Sequence, residues 1–132
     1  MFKQKNNIKN KVLNTDKFGF RFTDSDTKYT ILNKHNIKDN FNEYVVVGGS
    51  TAFGVGASSD RNTISSKLSQ MTNNTIYNFG LRAGNSFQEL ILFLQNLGNF
   101  KNLKKVYILS GFNDLFLNSY IEKKILLSLL SK

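Results

Sequence analysis

The rhythm of apolar and polar positions changes near Glu43. Before it, residues 1–42 are polar and rich in Asn and Lys, but Phe18, Phe20 and Phe22 alternate with other residues, as do the positions from Tyr29 to Leu32. Such alternation predicts short half-buried strands, or an extended arm lying on the main body. No Pro/Gly/Ser linker follows, so 1–42 reads as an arm rather than a domain.

Residues 43–132 read as an α/β domain. Tyr44-Val45-Val46-Val47 is a short, continuous, β-branched run ended by Gly48-Gly49, the pattern of a strand buried on both faces. Ile64, Leu68 and Met71 fall at helical spacing within 61–71, and Thr75 to Phe79 predicts a second strand. Ser86 followed three positions later by Glu89 has the form of a capping box. Behind it Phe87, Leu90, Ile91 and Leu94 form one apolar stripe that predicts a buried helix face, stopped by Gly98. Lys105 to Ser110 predicts a third buried strand. A last helix is expected from about Leu115 to Leu130, with Asp114 as its N-cap. Strands alternating with helices imply a parallel sheet, and in such sheets ligands gather beyond the carboxyl ends of the strands.

Composition narrows the function classes. The chain has 132 residues, suited to one domain, and with 40% hydrophobic residues and 12 Phe it can bury a core. The net charge of +9 raises the question of nucleic acid, but the lysines are scattered rather than interleaved with aromatics on one element, so no nucleic-acid partner is expected. With no Cys there is no disulfide, thiolate nucleophile or zinc–thiolate site, and neither cofactor nor metal is expected. The basic N-terminus lacks an apolar signal-peptide core, and the longest apolar run is far short of the roughly 20 residues that span a bilayer. The expected location is the cytoplasm.

The candidate chemistry lies where the three strands end. In GGSTAFGVG, residues 48–56, Gly49 and Gly54 have the glycine spacing of a phosphate-binding loop, but Val55 stands where its Lys belongs. A dinucleotide fingerprint fails because Ser59 replaces the third Gly, and the G-x-S-x-G elbow fails because Ala52 replaces its last Gly. What remains is Ser50 on a glycine-relaxed turn directly after a buried strand. It can be a nucleophile, or simply a cap for the next helix. Asn113, in Gly111-Phe112-Asn113-Asp114, can likewise be a polar donor or an ordinary turn residue.

Taken together, three segments resemble the SGNH/GDSL hydrolases: Gly48-Gly49-Ser50-Thr51 after the first strand, Gly84 and Ser86 within NFGLRAGNSFQEL after the second, and Gly111-Phe112-Asn113-Asp114 after the third. The resemblance spans roughly Glu43 to Tyr120. It implies a three-layer, flavodoxin-like sandwich with the first strand between the second and third, here with an incomplete parallel sheet. It also implies hydrolysis of a small carboxylic ester, such as an O-acetyl group on a carbohydrate. By the same resemblance Ser50 attacks, and the backbone N–H groups of Ser50 and Gly84 and the side-chain amide of Asn113 stabilise the oxyanion. The family's late Asp-x-x-His is missing. The one histidine, His35, precedes the first strand. The chain is therefore expected to be a truncated enzyme with poor turnover, prone to self-association through its unfinished sheet. The alternatives are a catalytically inactive remnant or binding module that keeps the oxyanion pocket, and phosphate or nucleotide binding at the glycine-rich turn.

Overall fold

The computed structural model describes residues 5–25, 28–32 and 41–130, with side chains as far as Lys124. His35 lies outside the described residues. The elements are β1 (Thr23–Asp24), β2 (Lys28–Tyr29), β3 (Glu43–Gly48), α1 (Ser50–Phe53), α2 (Ile64–Thr72), β4 (Thr75–Gly80), α3 (Ser86–Asn96), β5 (Leu103–Leu109) and α4 (Phe112–Leu130). Among the described residues this is a mixed α/β fold. A three-stranded parallel sheet has β3 between β4 and β5, beside a two-stranded antiparallel β1–β2 ribbon.

The apolar run of β3 forms the centre because both of its faces are covered. Val45 and Val47 pack on one face with Tyr77 and Phe79 of β4, against Phe20, Tyr29 and Ile31 of the arm and Leu92 and Phe93 of α3. On the other face Val46 and Ile76 pack against Ala52 of α1 and Leu68 of α2. Each such fully buried aliphatic side chain contributes about 1.5–3 kcal/mol relative to exposure.

The two sheet edges differ. At the β4 edge the Ile76 N–H donates to the Tyr29 hydroxyl, which also bonds Ser69 of α2, so the arm closes that side. All six β4 residues are buried. At the other edge Lys105 to Ser110 does not form the buried strand its composition predicts: β5 is largely open, with Ile108 72% exposed, because among the described residues no strand pairs beyond it. No helix among the described residues is long and apolar enough to cross a membrane.

The arm does not alternate as its sequence predicts. Phe18 is exposed, whereas Phe20 and the adjacent Arg21 are both buried. Arg21 is held inside because its guanidinium meets Asp60 at 2.9 Å and donates to the carbonyls of Gly54 and Val12. The arm is thus part of the core.

The helices correct four further expectations. In α2 the inward residues are Ser65, Ser66 and Ser69: Ser66 accepts from the Asp24 N–H and Ser69 bonds the Tyr29 hydroxyl, both of the arm, while Ser65 bonds Thr63 and Asn78, and Met71 is exposed. The α3 stripe of Phe87, Leu90, Ile91 and Leu94 is turned outward, with Phe87 67% exposed, because α3 sets Glu89, Leu92 and Phe93 toward the sheet instead. The cap of α3 is Asn85 rather than Ser86: its side chain accepts from the Gln88 N–H while the Gln88 side chain accepts from the Asn85 N–H. Finally, α4 begins at Phe112, so Asp114 lies in its first turn and is not the N-cap.

Candidate active site

β3 ends against β5. A Cβ on Gly48 would lie 2.1 Å from the Leu109 carbonyl oxygen, so only glycine permits this approach. Gly49 then caps α1 in an extended conformation without any side-chain bond, and Ser50 is the first helical residue. Ser50 therefore does not cap the helix. Its hydroxyl makes no hydrogen bond among the described residues, while its carbonyl accepts from the N–H groups of Gly54 and Val55. Arg21 occupies the Gly54 carbonyl from the other side, so the loop is folded around an internal guanidinium.

Gly111, at φ +101°, turns the chain from β5 into α4 in a backbone conformation that favours glycine. This delivers Asn113 to the carboxyl edge of the sheet, where its Nδ2 donates to the carbonyl of Gly84. One of the two amide hydrogens is used there, and the second is left for another acceptor. Gly84 is buried, and a Cβ there would meet the Leu81 side chain at 2.4 Å.

Ser50 and Asn113 line one small cavity of about 30 Å³, together with Gly49, Thr51, Ser110 and Glu89. Gly84 is not on its wall but is tied to it through Asn113. The structure therefore brings Ser50 and Asn113 to one cavity and places Gly84 behind them.

Glu89 was expected only as a capping partner. It is instead 97% buried in the wall of this cavity. Its Oε1 would lie 3.2 Å from a Cβ on Gly49, and the Asn113 Nδ2 would lie 3.3 Å from the same point, so the missing side chain of Gly49 makes room for both. Burial pushes the Glu89 carboxyl above the usual carboxylate range. The Ser110 hydroxyl works against that shift and the charge of Asp114 adds to it. The available sequence signal was Gln88: with Asn85 and Gln88 forming the capping box, Glu89 falls one position on, facing inward.

A scan against protein-family models finds no match to this chain, and neither does a search of the curated proteins.

Proposed function

We propose that the chain carries the nucleophile and oxyanion site of a serine ester hydrolase of SGNH type, on a flavodoxin-like sandwich in which β5 is an edge strand among the described residues. The observation that supports this most is the unbonded Ser50 hydroxyl sharing one cavity with the Asn113 amide, beyond the ends of β3 and β5. In this reading Ser50 attacks an acyl carbonyl. The oxyanion that develops is met by the Ser50 N–H and by the free hydrogen of the Asn113 amide, which the Gly84 carbonyl behind it holds in place. A cavity of about 30 Å³ suits a small acyl group such as acetyl, with the alcohol, for example a carbohydrate, remaining outside. The open β5 edge and the exposed apolar faces of α3 and α4 favour self-association.

A second reading is a module that binds an ester-like ligand without turning it over. It is favoured by the bond between Asn113 and the Gly84 carbonyl, which keeps the pocket shaped while engaging half of its main donor.

The test is p-nitrophenyl acetate turnover and fluorophosphonate labelling of the chain beside Ser50→Ala and Asn113→Ala. Loss of labelling in Ser50→Ala, with Asn113→Ala costing about 2.7–4 kcal/mol of transition-state stabilisation, supports the hydrolase. Ester binding without labelling or turnover supports the module.

A further inference from the structure

The hydrolase reading leaves open which group takes the proton from Ser50. Among the described residues the cavity wall holds one carboxyl, Glu89, and no cation. Its neighbours are Ser50 and Thr51 from α1, Ser110 after β5, and Asn113 with the charge of Asp114 from α4. One of its oxygens, Oε2, is enclosed without any hydrogen-bond partner, while Oε1 reaches the nucleophile turn above Gly49. An isolated buried carboxylate is costly unless it is paired or takes up a proton. This carboxyl is thus placed to gain by accepting one.

We propose that Glu89 is the general base of the Ser50 site, receiving the serine proton directly or through a single water in the cavity. The proposal rests on the hydrolase reading and names the base that reading lacks. A cavity of about 30 Å³ has room for one such water.

The charge movement favours this role. As the Ser50 O–H bond breaks and the Oγ–carbon bond forms, the carbonyl electron pair moves onto the oxygen beside Asn113. A carboxylate still ionised there would repel it. When Glu89 takes the proton it becomes neutral as the oxyanion appears, so the site carries one negative charge throughout. On collapse the carbon–alkoxy bond breaks and the leaving alkoxide takes the proton from Glu89, leaving an acyl-serine. Water then attacks the acyl carbon and gives its proton to Glu89. The Ser50 oxygen departs and recovers that proton, releasing a carboxylic acid. A base shifted above the ordinary carboxylate range is better matched to neutral pH than an unperturbed glutamate.

The experiment measures p-nitrophenyl acetate turnover by the full chain from pH 4 to 9, beside Glu89→Gln, Glu89→Ala, His35→Ala and Ser50→Ala. Ranges of this kind follow from the roughly 10²–10⁴-fold worth of a general base. Expected is a rise in activity through a single ionisation above the usual carboxylate range. Glu89→Gln should fall by about a hundredfold or more and lose that ionisation. Formate should restore part of the activity of Glu89→Ala, an effect that a merely structural role would not produce. His35→Ala should match the unmodified chain. Turnover within threefold of the unmodified chain in folded Glu89→Gln overturns the proposal, as does loss of activity in His35→Ala. If Glu89→Gln fails to fold, the profile of the unmodified chain decides, and absence of the ionisation overturns the assignment. Turnover at background in the unmodified chain, with Ser50 still labelled by a fluorophosphonate, also overturns Glu89 as base while keeping Ser50 as nucleophile. Full turnover in Ser50→Ala overturns the hydrolase reading itself.

Discussion

The carboxylate of Asp114, in the first turn of α4, accepts hydrogen bonds from both the backbone N–H and the hydroxyl of Ser86, the first residue of α3. The starts of α3 and α4 are thereby joined. A negative charge at the N-terminus of α3 is favourable because the unpaired N–H groups there carry partial positive charge.

Asp114→Ala should therefore destabilise the fold by about 0.5–2 kcal/mol, the range for losing a helix cap. The loss should also free Asn113, its neighbour in sequence, from the Gly84 carbonyl. Thermal melting measures the first effect. Faster exchange of the Asn113 side-chain amide hydrogens, with the Gln88 N–H still protected by the Asn85 cap, measures the second.

Glu89 sets a pH dependence of stability. Its folded-state pKa is raised, so the folded protein binds its proton more tightly than the unfolded chain does. The contribution is fully present below the ordinary carboxylate pKa and is lost as pH rises through the raised value. Glu89→Gln should accordingly be more stable than the unmodified chain at neutral and alkaline pH, with the difference shrinking in acid. Urea midpoints at pH 4 and pH 8 measure it; an equal difference at both would contradict the assignment.

The buried pair of Arg21 and Asp60 joins the arm to the 3-10 turn, Asp60–Asn62, that precedes α2. Both side chains are 2% exposed, so removing one partner strands a charge. Asp60→Ala should cost about 3–5 kcal/mol, whereas the double change Arg21→Met with Asp60→Leu should cost much less. A double-mutant cycle followed by chemical denaturation separates the pair from its surroundings.

The β5 edge gives a prediction about association. Val106, Ile108 and Leu109 are exposed along a strand that is paired on one side only among the described residues. Unprotected edges of this kind pair with other chains, and a charge on the edge suppresses it. Ile108→Lys should lower the concentration-dependent association of the protein in sedimentation velocity while leaving its circular dichroism unchanged.

The strands were legible because buried parallel strands have a compositional signature. The runs at Tyr44 to Val47 and Thr75 to Phe79 are continuous and buried, whereas the similar run at Lys105 to Ser110 forms an exposed strand, because a run's composition does not say whether other elements cover it. The face of α3 was not legible. From Leu90 to Leu94 every residue is apolar, so more than one stripe satisfies the helical period, and the sheet took the one containing Leu92 and Phe93. A one-residue ambiguity compounded this. Asn85 and Ser86 are both good caps, and Gln88 and Glu89 are both suitable partners three positions on. The frame that formed released Ser86 to Asp114 and turned Glu89 inward. The places of Ser50 and Asn113 after strands were legible, and they line one cavity, whereas the place of Glu89 depends on which way a helix faces, which local sequence does not state.

Glu43, at the start of β3, has one more consequence, for the time course of folding. Its Oε2 accepts from the N–H groups of Lys101 and Asn102, and its Oε1 from the Tyr77 hydroxyl. These partners lie 58, 59 and 34 positions further along the chain. During synthesis the central strand emerges first and remains without either flanking strand until much later residues have left the ribosome. Its three consecutive valines stay available to wrong partners for that whole interval. Because such distant pairings must be closed before they stabilise anything, folding is slow for the size of the sheet. Holding β3 in reserve, rather than making it quickly, is the task this topology sets for the cell.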